Sequence, residues 1–326
     1  MRMHIPGSQN VCENVRDRVV PQLSICYNTN MEQKWGVTDI PSSLGFETNV
    51  PLAELTSFRI GGPARFVLRP RSYDDIRNAI EFASSVDMPV ALLGKGTNIL
   101  ASDAGFRGLV IRFDTPLHDP VYSDNTVVAC CGTSLTQLAR ETVRHGLSGL
   151  ERLCGIPGTV GGACAMNAGA YGGEIKQVLR RIRLLRNGKD EWVDVQDDDL
   201  GYRKSAFTFP DAIALEAEFA LKPDDGSASE TMQTCMQKRR DKQPLELPSA
   251  GSTFKRPEGH FAGALIEQCG LKGYTIGGAQ VSVKHAGFVV NIGSADEHDV
   301  SALIAHIQET VKRMTGVSLE PEIKRI

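Results

Sequence analysis

The apolar positions of this chain change period repeatedly, and each change marks an element. Polar and apolar residues alternate over Arg65–Arg69, which predicts a strand. From Ser72 the spacing switches: Ile76, Ala79, Ile80 and Ala83 share one helix face, and Ser72 with Asp75 makes a capping-box start. Pro89–Leu93 and Gly108–Phe113 are short apolar runs that read as strands. Strand, helix and strand joined by short loops predict a small α/β unit. A second unit opens with the strand Thr126–Cys131, and Leu135, Leu138, Ala139 and Thr142 then lie on a helix face that stops at Gly146. Arg181–Leu185, Glu191–Val195 and Ile213–Phe219 alternate like antiparallel strands, the first two joined by the Asn187-Gly188 turn signal.

Past a linker at Asp224-Asp225-Gly226, Ser227 and Glu230 predict a capped helix through Arg240 with a basic end. Those cations suit the helix dipole or an anionic ligand. Pro244 and Pro248 break the pattern before a short helix, Ala262–Cys269, and a strand, Phe288–Ile292. Val300, Leu303, Ile304, Ile307, Val311 and Met314 mark a long amphipathic helix, capped by Ser294 and Glu297 and stopped by Gly316. Residues 1–45 show no period and read as an extension, partly disordered, without chemistry that can be named. The chain thus divides at 46, 116 and 227 into that extension and three units, 46–115, 116–226 and 227–326.

A chain of 326 residues exceeds one ordinary core, in keeping with that division. The net charge of −3 argues against a nucleic-acid partner. No run approaches eighteen apolar residues and the start lacks an apolar signal region, so a cytoplasmic protein without a membrane partner is expected. Eight cysteines without a C-x-x-C pair point to reduced thiols and no metal site. The 32 glycines do change the picture, since nearly a tenth of the chain exceeds the usual share of about 7%. Seven of them, with four alanines, fall within Gly155–Gly173. Such a run is either a tight crossing of two backbones or a wall against a flat, phosphate-bearing cofactor. Gly94-Lys95-Gly96-Thr97-Asn98 opens at a strand end but has Ile99 where a dinucleotide fingerprint needs its third glycine. With Arg59-Ile60-Gly61-Gly62-Pro63 it supplies two further glycine-rich edges for one ligand.

SFRIGGPA (57–64), LLGKGTNIL (92–100), GIPGTVGGACAMNAGAYGGE (155–174), GYRKSAF (201–207), GSTFKRP (251–257) and LEPEI (319–323) occur in this order. The series resembles the UDP-N-acetylenolpyruvoylglucosamine reductase family over roughly Val50–Ile326. The short span from Arg203 to Ser252 matches the shorter, second type, which lacks a tyrosine-bearing loop. The resemblance implies an α+β chain: a two-subdomain FAD-binding fold of the vanillyl-alcohol oxidase type (46–115 and 116–226) plus a C-terminal α/β substrate-binding domain (227–326). It implies FAD and NADPH as cofactors, UDP-N-acetylglucosamine enolpyruvate as substrate, and a monomer.

The cofactor residues it implies are Arg59, Gly61, Gly62, Gly94, Lys95, Gly96, Thr97, Asn98, Gly155, Ile156, Pro157, Gly158, Thr159, Gly161, Gly162, Ala163, Asn167 and Gly169. Arg203, Ser252 and Glu322 are the implied catalytic residues. Guanidinium can grip the substrate carboxylate, and Ser252 can deliver a proton, helped by the cations Lys255 and Arg256 nearby. Lys242, Lys255, Arg256 and His285 fall where substrate contacts are expected, His285 being equally readable as a buried structural histidine. Two other readings stay open: an alcohol oxidase on the same fold, and a nucleotide-sugar binder without turnover.

Overall fold

Residues 40–326 are described by the computed structural model, and three sheets of four or five strands, besides two-stranded pairs, organise them. The expected extension lies, up to residue 39, outside the described residues; within its last part Ser42–Leu44 makes one 3-10 turn. The first sheet has the order Glu47–Pro51, Pro63–Leu68, Phe106–Arg112, Val90–Leu93. Its last three strands are parallel, and the helix Tyr73–Ser85 makes the crossover between two of them. Ser72 caps that helix through its hydroxyl, which accepts from Asp75 N–H at 3.1 Å. The reciprocal half of the box is absent, because the Asp75 carboxylate takes the Arg71 N–H instead.

The second sheet is wholly antiparallel, in the order Lys189–Asp194, Leu179–Arg186, Ile213–Ala220, Thr126–Cys130, Val121–Ser123. Asn187 and Gly188 take φ of 50° and 74° in its first hairpin, the left-handed pair that such a two-residue turn requires. The run Gly155–Gly173 carries an element that its composition hides. Small residues from Val160 to Met166 form a short helix, capped by Thr159 Oγ1 on Gly162 N–H and ended by Asn167 at φ 40°.

The third sheet, Ser249–Ser252, Phe288–Asn291, Ala279–Val281 and Thr275–Ile276, is antiparallel and packs with the helices Ala262–Gln268 and Glu297–Thr315. Phe58, Ile60 and Leu100, distant in sequence, share its core. Two expected caps are corrected. Asp224 and Asp225 accept the N–H groups of Ala228 and Ser227, so Ser227 caps nothing with its side chain. Asp296 and Asp299 make the reciprocal box of the long helix, in place of Ser294 and Glu297. Met314, expected on its buried face, is 55% exposed. In both helices Asp carboxylates, which accept more strongly than a hydroxyl, take the free N–H groups at the start.

Candidate functional site

The Gly94–Asn98 loop, leaving the Val90–Leu93 strand, is where the glycine-rich edges meet. On one side Ser57 N–H donates to Gly96 O at 3.2 Å, and a Cβ on Gly96 would lie 2.1 Å from Leu55 O. On the other, Cβ atoms placed on Gly158 and Gly251 would each lie 3.9 Å from Thr97, at its hydroxyl and its carbonyl. The Leu55–Ser57 segment, the Gly158 end of the glycine run and the Gly251–Ser252 stretch therefore share one rim, while Gly61 and Gly62 pack on Ala101 and Asp103.

Most of these glycines face the protein itself. A Cβ on Gly61, Gly62, Gly94, Gly96, Gly161 or Gly169 would meet this chain's own atoms at 2.1–3.0 Å. Their missing side chains serve backbone and side-chain packing, which corrects the picture of a bare wall. The N–H groups of Gly62 and Gly161 are also spent, on Ser102 O and Cys131 O. Ala163 is buried. Asn167 uses its whole amide internally, donating to Glu174 Oε2 and Gly201 O and accepting from Lys176 N–H. Gly158 and the exposed Gly162 do look outward, with Thr159 between them. Ile156 accepts the Thr136 hydroxyl and donates to Leu153 O; Pro157 is exposed, and a Cβ on Gly155 would point at Arg239 and Met236. Lys95 is half-buried; Arg59 is exposed in a left-handed conformation at φ 57°.

Beneath Gly162 lies a small cleft of about 50 Å³ lined by Leu92, Phe113, Thr159, Phe207, Phe209 and Ala214. An apolar floor under a glycine face fits a flat, extended ring system such as a flavin. Among the described residues no His, Cys, Asp and Glu cluster could hold a metal ion.

Arg203, Ser252 and Glu322 reach this rim by three different devices. Arg203 sits in the two-residue turn between Leu200–Gly201 and Lys204–Ser205, at φ 56°, a conformation that a non-glycine side chain adopts at a cost. Glu322 is fixed by backbone. Its N–H donates to Thr253 O at 2.8 Å, its carbonyl accepts from Asn98 Nδ2 at 3.2 Å, and Lys324 N–H donates to Asn98 O. Asn98 thereby anchors the C-terminal segment, which also runs parallel to Ile99–Leu100. Ser252 precedes Thr253 and follows a bulge in which Gly251 takes φ 77°, turning the exposed Ser252 out of the regular pleat.

Arg203 Nε lies 2.6 Å from Glu322 Oε1, with the two side chains 20% and 13% exposed. The Nε–H itself is not aimed at an acceptor, so this is contact between charges rather than a fork-shaped hydrogen bond. Burial pushes the Glu322 carboxyl up from its ordinary range, while Arg203 and, less strongly, Lys255 and Lys324 pull it down. The pair can exchange partners: an entering carboxylate can take the guanidinium and leave Glu322 free to accept a proton.

The expected substrate cations are less available than the sequence suggests. Lys255 pairs with Glu320 and is not free beside Ser252. Arg256 stacks 4.0 Å over the Phe261 ring and donates to His260 O. Lys242 is exposed in the last turn of its helix, on the His285 side. His285 is half-buried, burial lowers its pKa, and its Nδ1 accepts Gly287 N–H at 3.1 Å, which leaves Nε2–H as a donor. Tyr202 is a residue that the sequence reading passed over. Its hydroxyl accepts Arg256 N–H at 3.0 Å, and its ring lies 5.1 Å from the Arg203 guanidinium. An aromatic directly beside a site arginine was the available signal.

Two family descriptions match this chain: "FAD binding domain" over residues 64–195 and "UDP-N-acetylenolpyruvoylglucosamine reductase, C-terminal domain" over 243–326. A UDP-N-acetylenolpyruvoylglucosamine reductase of Exiguobacterium sibiricum is 46% identical over 85% of this chain and 92% of its own length. The protein of the same name from Agathobacter rectalis is 47% identical over 89% of this chain and 96% of its own. The crystal structure of UDP-N-acetylenolpyruvylglucosamine reductase from Thermus caldophilus superposes with a TM-score of 0.73 at 34% identity, covering 86% of this chain and 99% of that one. The chain belongs to the UDP-N-acetylenolpyruvoylglucosamine reductase family.

Proposed function

We propose that this protein uses NADPH, through bound FAD, to reduce the enolpyruvyl ether of UDP-N-acetylglucosamine to UDP-N-acetylmuramate, a peptidoglycan precursor. The observation that carries this reading is the Arg203–Glu322 contact at the glycine rim, assembled from the 201–207 and 319–323 segments. When bound, FAD supplies the two-electron relay that takes hydride from NADPH and delivers it to the vinyl carbon. Gly158, Thr159 and Gly162 give that cofactor its rim, with Phe113, Phe207 and Phe209 below. Arg203 holds the substrate carboxylate, where negative charge builds as hydride adds to the terminal carbon. Ser252 gives its hydroxyl proton to the adjacent carbon, and Glu322 stabilises the charge on the carboxylate side. Lys242 and His285 Nε2–H face the diphosphate.

Units 46–115 and 116–226 flank the flavin in this reading and 227–326 closes over the substrate; the protein works in the cytoplasm as a monomer. Among the described residues no helix is long and apolar enough to cross a membrane. The test is optical. Purified protein should show oxidised-flavin bands, bleach with NADPH and recover on adding the enolpyruvyl substrate without oxygen. Acid precipitation should leave the yellow colour in solution, as FAD is held without a covalent bond. Bleaching by NADPH with no recovery by the substrate would refute the assignment.

A further inference from the structure

Arg239 lies in the last turn of the Ala228–Lys242 helix, between the two stretches that the family descriptions match. Its side chain leaves that helix and lies along another element. A Cβ on Gly155 would be 3.1 Å from Arg239 Cδ and 3.5 Å from Nη1, so the arginine stem packs closely on that glycine. The half-buried or buried arginines Arg77, Arg112, Arg183 and Arg203 each lie against a carboxylate. Among the described residues Arg239 has no such partner: the ionisable groups there that act on it are Tyr171 and Cys154, and burial lowers its pKa. Helix capping does not account for it either. Arg239 O already accepts Gln243 N–H, and Arg240 O accepts Lys284 Nζ, so the last carbonyls are served without its guanidinium. A desolvated cation without an anion costs stability unless a ligand brings the charge.

We propose that Arg239 is a diphosphate-binding residue on the Gly155 edge of the cofactor cleft, a role that rests on the reductase reading above. Two ligands of that reading carry a diphosphate: FAD, and the uridine nucleotide of the substrate. Gly155 belongs to the residues matched as an FAD-binding domain, and the outward-facing Gly158 follows it on the same loop. Planar guanidinium suits the paired oxygens of such a group better than a lysine would.

Arg239→Met keeps the apolar stem and removes the charge. FAD titrated into the flavin-free full chain, followed by flavin fluorescence, should bind about 10- to 100-fold more weakly than to wild type. FMN, which lacks the diphosphate, should show no such difference. Should FAD binding hold while UDP, read by the flavin spectrum of the loaded protein, weakens to that extent, the nucleotide sugar is the source and the proposal stands. Arg239→Lys should recover part of either loss. The flavin-free Arg239→Met protein should melt no lower than flavin-free wild type, since an uncompensated cation has gone. Unchanged binding of both FAD and UDP overturns the proposal, as does a flavin-free variant that melts clearly lower, which would make Arg239 a packing residue. A wild-type chain that binds neither would overturn the reductase reading itself.

Discussion

Arg203 and Glu322, both largely buried, neutralise one another at the rim, and their balance depends on pH. Below about pH 4 the Glu322 carboxyl is largely neutral in folded and unfolded chain alike. Because the fold raises its pKa, ionisation is disfavoured in the folded state, and stability present at low pH is lost as pH rises through the folded value. Arg203 offsets part of that loss. Arg203→Met should therefore match or exceed wild type at low pH and fall behind it by about 1–3 kcal/mol as pH rises and Glu322 ionises. Melting curves across that range check the sign; a deficit that is constant with pH would place the effect in packing. Ser252 separates the half-reactions instead. Ser252→Ala should leave bleaching by NADPH near the normal rate and slow recovery by the enolpyruvyl substrate by at least about 10²–10⁴-fold. Stopped-flow absorbance distinguishes them, and equal slowing of both would mean that Ser252 holds the loop. Glu322 among its neighbours and Arg203 in its turn were legible only as motif positions, because neither residue's own surroundings are local in the chain.

At the scale of elements, the short Val160–Met166 helix divides two adjacent glycines by their facing. Gly161 looks inward, where a Cβ would lie 3.0 Å from Cys131 Cβ and 3.2 Å from Cys131 O; Gly162 looks out, with only Thr159 Oγ1 at 3.4 Å. Gly161→Val should thus destabilise the fold by about 1–3 kcal/mol through overpacking. Gly162→Val should keep a near-normal melting temperature and lose flavin. The ratio of flavin to protein absorbance in the two purified variants measures this, and full flavin content in Gly162→Val would remove it from the cofactor face. Period and turn chemistry located the larger elements well: Ile76, Ala79 and Ala83 are buried as the helix spacing requires, and Asn187-Gly188 turns the hairpin. The glycine run defeated the same method, since small residues carry almost no hydrophobic period. Caps were misplaced for a related reason. Several carboxylates and hydroxyls precede each helix, and only the geometry of the first turn chooses among them.

Over the whole molecule, every recognised motif lies after Val50, so removing residues 1–45 should leave turnover within a small factor of the full chain; a large loss of rate with normal flavin content would contradict this. The sequence by itself determined the order of the larger helices and strands, the α+β class and the family. These follow from period, turn residues and six spaced motifs, all local in the chain. Tertiary structure alone decided which glycines pack against backbone and which stay open, that Asn167 and Asn98 tie loops together, and that Lys255 and Arg256 are already engaged. It also brought Arg203 to Glu322 and laid Arg239 along Gly155. A side chain's charge is written in the sequence, but whether that charge is already neutralised depends on neighbours that only the folded chain supplies.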